Sequence, residues 1–264
     1  MAVPVPFLAH RFRSTAEHYL VGRPPYPARL IARVAALTGL PATGRELDLG
    51  CGPGQLALAF APLATEVLAV DPEPEMLRVA RRAAGSAPIR FLQASSHDLG
   101  PAFGRFHLVA MGRSFHWMDR AETLRRLDRM IEPGGAVALF GDTHPDLPDN
   151  AWRARWREAL SRYRATGPDR RHDAADWVRH EAFLLDSAFC RVDYVAAIDR
   201  RRIPIVTLIE RALSMSEYNP RRLGERVAAL SEDMLHALEP FTVDGMITEV
   251  VETYAMIATR PGAA

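Results

Sequence analysis

Gly50, Gly52 and Gly54 alternate in Glu46-Leu-Asp-Leu-Gly-Cys-Gly-Pro-Gly54, at the end of a short apolar run. Glycines at such a strand-to-helix turn permit tight dihedrals and let a ligand approach the backbone closely. The helix that follows presents unpaired N–H groups. Asp48 stands two residues before the first glycine. A carboxylate at a buried strand end is unfavourable unless a cation or a hydrogen-bond donor meets it. Asp71 ends the next apolar run, 17 residues after Gly54, where an acid can accept both hydroxyls of a ribose. The dinucleotide fingerprint G-x-G-x-x-G would need glycine at position 55, which is Gln55, and Asp48 would sit badly beside a pyrophosphate. A nucleoside with a positive centre and no phosphate fits better than a nicotinamide dinucleotide.

Bringing these residues together requires strands that end on one edge. Leu30, Ile31, Val34 and Leu37 recur at helical spacing within 26–40, with Gly39 as a stop, which predicts a helix. Arg45–Leu49, Glu66–Val70, Ile89–Leu92, Phe106–Met111 and Ala136–Phe140 read as strands, with helices over Gln55–Pro62, Met76–Ala84 and Arg120–Ile131; Pro133-Gly-Gly135 breaks the last of these. Strands alternating with helices imply βαβ units and a parallel sheet, and the near-continuous apolar strands imply cover on both faces. Right-handed crossovers then gather Gly50–Gly54, Asp71, Ser95–Asp98 and Met111–Trp117 at one edge. Beyond Gly141 the pattern loosens. Residues 142–182 read as irregular chain with one or two helices, Val192–Ile198 as a strand, Ile205–Met215 and Leu223–Leu238 as helices, and Met246–Thr259 as a final strand. The expected fold is α/β, with a Rossmann-like seven-stranded, mostly parallel sheet, helices on both faces, and a helical lid from the N-terminus and C-terminal insertions. Residues 1–264 are expected to form a single domain, its core at about 40–142 plus late strands at about 190–200 and 246–260. Segments at about 1–38, 143–182 and 203–240 would supply the lid and the ligand-facing wall.

Composition narrows the partners. Hydrophobic residues make up 48% and charged residues 25%, as in ordinary globular proteins. The 33 basic residues are all arginine and face 32 acids, for a net charge of +1, so no field exists to grip nucleic acid. A GC-rich codon bias accounts for most of these arginines, and a few are candidates for planar anion clamps. Arg153, Arg155, Arg157 and the run Arg200–Arg202 read as solvated charge. Cys51 and Cys190 cannot build a disulfide framework, which suggests a reducing compartment. No apolar run approaches the roughly 18 residues of a membrane span, and the order of apolar and basic residues in MAVPVPFLAHRFR is wrong for a signal peptide. A cytoplasmic monomer or homodimer is expected, with no membrane partner. The nine histidines show no ligand spacing, so no metal is expected.

Leu47-Asp-Leu-Gly-Cys-Gly-Pro-Gly54 followed by Val67-Leu-Ala-Val-Asp-Pro-Glu-Pro-Glu-Met-Leu77 closely resembles motif I and the second acidic motif of class I S-adenosylmethionine-dependent methyltransferases. RPPYPARL at 23–30, ASSHDL at 94–99, FHLVAMGRSFHWMD at 106–119 and RMIEPGGAVAL at 129–139 follow in the family's order. Together they resemble the methyltransferase type 11 group, and within it the trans-aconitate methyltransferase-like proteins. The resemblance is strong over residues 15–141 and weak in the C-terminal third. It implies S-adenosyl-L-methionine as cofactor and S-adenosyl-L-homocysteine as product. Asp48, Gly50, Cys51, Gly52 and Gly54 would hold the methionine part, Asp71 the ribose, and Pro72 and Met76 would lie near the adenine. Ser96, His97 and Asp98 stand where the family has a small residue followed by Glu, so either His97 or Asp98 faces the adenine amino group. Met111 and Gly112 would flank the methionine amino end. Tyr19 and Arg23 would close over it, or serve in helix packing alone.

The chemistry implied is in-line attack on an electrophilic methyl group, which depends first on positioning. A hydroxyl acceptor needs a general base; a carboxylate needs none but benefits from cationic clamps. His116 is the best base candidate, and His144, after the fifth strand, is a second. Arg113 could clamp an acidic acceptor or pair with a nearby carboxylate. Trp117, Trp152, Trp156 and Tyr218 are candidates to line the acceptor pocket, with helix packing the competing role for the first tryptophan pair on one helix face, Trp152 and Trp156. Cys51 reads as a small filler, not a nucleophile. The favoured function is O-methylation of a small-molecule carboxylate or hydroxyl. The alternative is a protein of the same fold that binds the cofactor without transferring methyl, because motif I reports binding and not turnover. Nucleic-acid methylation lacks support, since Met111-Gly-Arg-Ser114 replaces an Asn-Pro-Pro-type tetrapeptide.

Overall fold

Leu47, Leu49, Val67–Val70 and Leu108–Met111 are buried on both sides of their strands, and this burial turns short apolar runs into a parallel sheet. The computed structural model describes residues 12–164 and 177–262; the parts of the expected lid at 1–11 and 165–176 lie outside the described residues. In chain order the elements are α1 (Ala16–Gly22), α2 (Ala28–Leu37), β1 (Arg45–Leu49), α3 (Gln55–Phe60), β2 (Glu66–Asp71), α4 (Pro74–Ala84), β3 (Ile89–Gln93), β4 (Phe106–Gly112), α5 (Arg120–Asp128), β5 (Ile131–Thr143), α6 (Trp152–Ser161), α7 (His180–Leu185), β6 (Arg191–Pro204), α8 (Val206–Leu213), α9 (Pro220–Leu223), α10 (Arg226–Leu238) and β7 (Met246–Thr259). The seven strands form one sheet in the order β3-β2-β1-β4-β5-β7-β6. Strands β1 to β5 pair in parallel, while β7 runs antiparallel to both β5 and β6. The strand order reverses between β1 and β4, which is where a sheet of this kind opens a ligand crevice.

One sheet face packs Leu47, Val109, Leu124, Leu127 and Phe189; the other packs Val34, Leu56, Phe60, Val67 and Leu108. A third cluster joins Trp152, Leu160, Leu208, Leu230, Met234 and Ile247 beyond the sheet edge. Trp152 and Trp156 meet there edge to face, 6.4 Å between ring centroids, and Tyr218 is buried in the same cluster. These three side chains therefore belong to a helical core, not to the acceptor pocket expected of them.

Two elements outrun their apolar signal. β5 begins at Ile131, and Pro133-Gly-Gly135 lies within it at a register shift opposite Phe106 and Leu108. β6 reaches Pro204, well past Ile198, because it pairs with β7 along its whole length. Arg200 and Arg202 are exposed, as a solvated run requires, and only Arg201 turns inward. Arg201 Nε donates to the buried Glu249 at 2.6 Å, Arg200 pairs with Asp149 at 2.7 Å, and Arg202 donates to the Val243 carbonyl at 3.0 Å. Arg153 likewise donates to the His144 carbonyl at 2.9 Å.

Helix α1 lies across the crevice and is tied down on both sides. Glu17 pairs with Arg78 and Arg82 of α4, which holds its carboxyl near 2. His18 Nδ1 meets Glu210 of α8 at 2.7 Å. At the helix end Gly22 approaches α8 so closely that a Cβ would fall 2.4 Å from the Arg211 nitrogen.

Candidate functional site

A cavity of about 590 Å³ opens at the C-terminal ends of β1, β2, β4 and β5 beneath α1, within the range of about 300–1,000 Å³ usual for small-molecule sites. The glycine loop shapes one wall. The Gly50 and Cys51 N–H groups donate to the Val70 carbonyl at 2.8 and 2.9 Å, folding the loop back over β2. Gly50 has φ +71° and a Cβ there would sit 2.6 Å from Ser114. Gly52, with φ +53°, leaves open space: the nearest atom to a Cβ would be Met76 Sδ at 3.9 Å.

Asp71 is fixed by two backbone donors. Its Oδ2 accepts from Gly52 N at 2.8 Å and its Oδ1 from Glu73 N at 2.9 Å, which leaves further lone pairs for hydroxyl donors. Burial nevertheless pushes its carboxyl up to about 6. Asp48 accepts from Ala57 N at 2.9 Å, and burial drives it well above the usual carboxylate range. Behind it lies a residue that the sequence pattern does not flag: Glu46 is fully buried, no described residue gives its carboxylate a well-formed hydrogen bond, and burial beside Asp48 raises its pKa strongly against a weak contribution from the Ala110 backbone.

At the end of β3, the Asp98 carboxylate turns back to cap its own turn, accepting from Ser95 N and Oγ at 2.7 Å each. His97, with Ser96, faces the cavity instead. At the end of β4, Gly112 rests on the Tyr26 hydroxyl, 2.5 Å from where a Cβ would be. Arg113 follows with φ +56°. Its guanidinium lies 4.6 Å over the Tyr26 ring, pairs with Asp142 and donates to the Pro24 carbonyl at 2.9 Å and to Gln55 at 3.3 Å. Burial opposes the charge, but Asp142 more than compensates and its pKa is raised. The acid that Arg113 clamps is thus internal, and it fastens the 24–27 segment to the sheet edge.

Arg23 differs. It is half-buried on the cavity wall and its Nε has no hydrogen-bond partner. Its guanidinium stands 5.3 Å from the Tyr19 ring centroid, and burial lowers its pKa. Among the described residues Asp142 is the carboxylate that acts on it electrostatically, and a buried donor without a partner is costly, so this position favours an anionic ligand group.

His116 reaches the cavity beside Phe115 and Trp117. His144 does not. Its Nε2 lies 3.0 Å from Glu249 and 3.3 Å from Arg211, against the Trp152 ring; the buried Glu249 charge draws it away from the cavity. Gly54 also falls outside, turned toward Ala80 and Phe91. Tyr19, Arg23, Asp48, Gly50, Cys51, Gly52, Asp71, Pro72, Met76, Met111 and Gly112 all line the cavity, as expected for them. The sequence pattern missed Phe12, Tyr26, Asp142, His180 and Tyr254, which line it too. Asp142 lies in the last residues of β5 at the same edge, and the strand-end rule could have found it; the late segments offered no comparable signal for His180 or Tyr254.

The cavity therefore offers raised acids toward a cation and, toward an anion, a guanidinium whose Nε has no hydrogen-bond partner among the described residues, with Asp71 placed for hydroxyls. A nucleoside carrying a zwitterionic amino-acid tail fits this donor set.

Residues 47–135 match a family model described as methyltransferase domain. An uncharacterized methyltransferase of Mycobacterium tuberculosis is 32% identical over 136 residues, covering 51% of this chain and 53% of that protein. Malonyl-[acyl-carrier protein] O-methyltransferase of Enterobacter lignolyticus is 36% identical over 126 residues, covering 46% and 49%. The aligned stretch spans about half the length of each relative. Among solved structures, a putative type II methyltransferase from Anaeromyxobacter dehalogenans has TM-score 0.59 at 21% identity over 90% of this chain and 97% of that one. A SAM-dependent methyltransferase from Thiobacillus denitrificans, in complex with S-adenosyl-L-homocysteine, has TM-score 0.53 at 19% identity over 97% and 100%. At these identities the two structures establish likeness of fold.

Proposed function

We propose that this chain is a class I S-adenosylmethionine-dependent methyltransferase, a reading supported by the methyltransferase-domain match, the methyltransferase relatives and the shared fold, and that it moves a methyl group from S-adenosyl-L-methionine to an oxygen atom of a small-molecule acceptor. The observation that carries this reading is the donor set of one cavity: Asp71, held by the Gly52 N–H, Asp48, and Arg23, whose Nε has no hydrogen-bond partner among the described residues, all line it. When bound, the cofactor supplies a methyl group made electrophilic by its sulfonium.

The chain's own residues do the rest. Asp71 holds the ribose hydroxyls, and Pro72, Met76, Ser96 and His97 frame the base. Asp48, Cys51, Met111 and Gly112 shape the floor under the methionine moiety, and Arg23 takes its carboxylate. Helix α1, with Tyr19, roofs the crevice and keeps water from the transferring group. Arg113 and Asp142 keep the 24–27 segment in place beneath this roof. His116 accepts the proton of a hydroxyl acceptor. The relative named as an O-methyltransferase supports oxygen as the accepting atom.

Calorimetric titration with S-adenosyl-L-homocysteine and transfer of labelled methyl into a metabolite extract test this reading. Saturable binding and a labelled small molecule are expected. Absence of binding defeats the proposal, and binding without any labelled product defeats the transfer step.

A further inference from the structure

We propose that Tyr254 is a specificity-determining residue of the acceptor subsite, where its hydroxyl donates a hydrogen bond to an oxygen lone pair of an otherwise apolar acceptor. The proposal rests on the methyltransferase reading above. Asp48 and Asp71, which that reading gives to the cofactor, lie at the ends of β1 and β2. Tyr254 lies on β7, three places from β1 in the sheet order β3-β2-β1-β4-β5-β7-β6, or roughly 14 Å away at about 4.8 Å per strand. The residues assigned to the cofactor therefore occupy one side of the cavity, and the β5–β7 wall is left for the acceptor.

That wall is built around one ring. Tyr254 pairs with Gly141 of β5 on one side and with Ala196 of β6 on the other. A Cβ at position 141 would fall 2.5 Å from both Cζ and the hydroxyl oxygen of Tyr254, so the tip of the ring rests on bare backbone. Tyr194 of β6 stacks on the same ring, 5.2 Å between centroids and 23° between planes, a separation at which aromatic pairs attract. The Tyr194 hydroxyl donates to Glu252 at 2.8 Å, which holds that ring in turn. Tyr254 is thus gripped between a glycine and a second tyrosine, its hydroxyl over β5, and both Tyr254 and Gly141 line the cavity.

The surroundings define what the hydroxyl can read. Phe115, Leu139 and Met256 are buried, line the same cavity, and belong to the cluster against which Tyr254 packs. They offer an apolar body a surface to lie on. Burial raises the Tyr254 pKa, with Asp142 and Glu181 adding to the rise and Arg113 and Arg179 opposing it. The phenol keeps its proton, so it serves as a donor and not as a base. A donor fixed in an apolar wall favours a molecule that presents an oxygen lone pair over a hydrocarbon of the same shape.

The test uses the full chain saturated with S-adenosyl-L-homocysteine and two probes of one shape: acetophenone, and α-methylstyrene, in which a methylene group replaces the carbonyl oxygen. With tyrosine ¹³C-labelled at Cζ, the Tyr254 resonance is the one lost in Tyr254→Phe. Acetophenone should move that resonance saturably, and α-methylstyrene should move it less. Tyr254→Phe keeps the ring and its packing. It should weaken acetophenone binding about 2- to 10-fold, the range of one neutral hydrogen bond, and scarcely change binding of α-methylstyrene. The proposal is overturned if acetophenone does not bind, if it leaves the Tyr254 resonance unmoved, or if Tyr254→Phe weakens both probes equally. Calorimetric titration of S-adenosyl-L-homocysteine into the unmodified chain tests the methyltransferase reading separately. Absence of binding there defeats that reading; binding there with failed probes defeats only the role given to Tyr254.

Discussion

Replacing Arg23 with methionine should move stability and cofactor affinity in opposite directions. The guanidinium sits half-buried in the cavity wall, with an Nε that lacks a partner and the Tyr19 ring 5.3 Å away as its main compensation. Leaving such a group unsatisfied costs about 1–3 kcal/mol, and the exposed-to-buried cation–π contact returns about 0.5–2 kcal/mol. Methionine keeps the apolar stem and removes the charge, so the ligand-free protein should gain on the order of 1 kcal/mol, or about 2–4 °C in Tm for a chain of this size. With ligand bound the balance reverses. A hydrogen bond to a charged group contributes about 1.5–3 kcal/mol, so losing the carboxylate partner should weaken S-adenosyl-L-homocysteine binding about 10- to 100-fold. Thermal melts without ligand and calorimetric titrations measure the two arms. Decarboxylated S-adenosyl-L-homocysteine completes a cycle that isolates the pairing: Arg23→Met should scarcely change the affinity for that analogue. If the variant loses affinity equally for both ligands, Arg23 does not read the carboxylate. If the ligand-free protein melts lower, the guanidinium was not an uncompensated charge.

Three further outcomes follow from the site and its supports. Binding of S-adenosyl-L-homocysteine should weaken as pH falls below about 6, because Asp71 titrates there and the burial-raised Asp48 above it, and both accept from or face the ligand as carboxylates; a group titrating at about 6 alone predicts a loss of about tenfold at pH 5, and calorimetry from pH 5 to 8 would show a flat profile if neither carboxylate ionises on binding. Glu46→Met should stabilise the protein at pH 8 by on the order of 1–4 kcal/mol, since apolar replacement of a buried charge is often favourable. A carboxyl whose folded pKa is raised loses stability as pH climbs from its unfolded value through the folded one, so urea unfolding of the variant should also depend less on pH between 5 and 8. Gly141→Ala places a Cβ 2.5 Å from the Tyr254 ring and hydroxyl and should cost about 1–3 kcal/mol by overpacking; adding Tyr254→Leu should restore most of that loss in thermal melts.

The parts of the site that were legible in the sequence are those dictated by one stretch of backbone. Gly50 and Gly52 have positive φ and sit where β1 turns into α3, and Asp71 ends β2 where the Gly52 N–H reaches it. Strand ends and helix starts announce themselves by local pattern, so these residues could be placed before any contact was known. His144 shows the limit of that reasoning. It lies just past β5, as a base candidate should, yet its direction is decided by Glu249, 105 residues later in the sequence. Glu249 is fully buried on β7, and burial alone would raise its pKa. His144 from the β5 end, Arg211 from α8 and Arg201 from β6 converge on it and hold it ionised. In the sequence His144 reads singly as a cavity base and Arg201 as surface charge, because nothing local marks the acid they share. An unpaired buried carboxylate is more costly than an idle histidine, so the acid takes the imidazole and the cavity loses it. The same contest runs the other way at the opposite side of the crevice. There Arg120, held between Trp177 and Phe183, claims only the Nδ1 side of His180. The ring remains on the cavity wall, and a residue with no pattern of its own takes a place in the site.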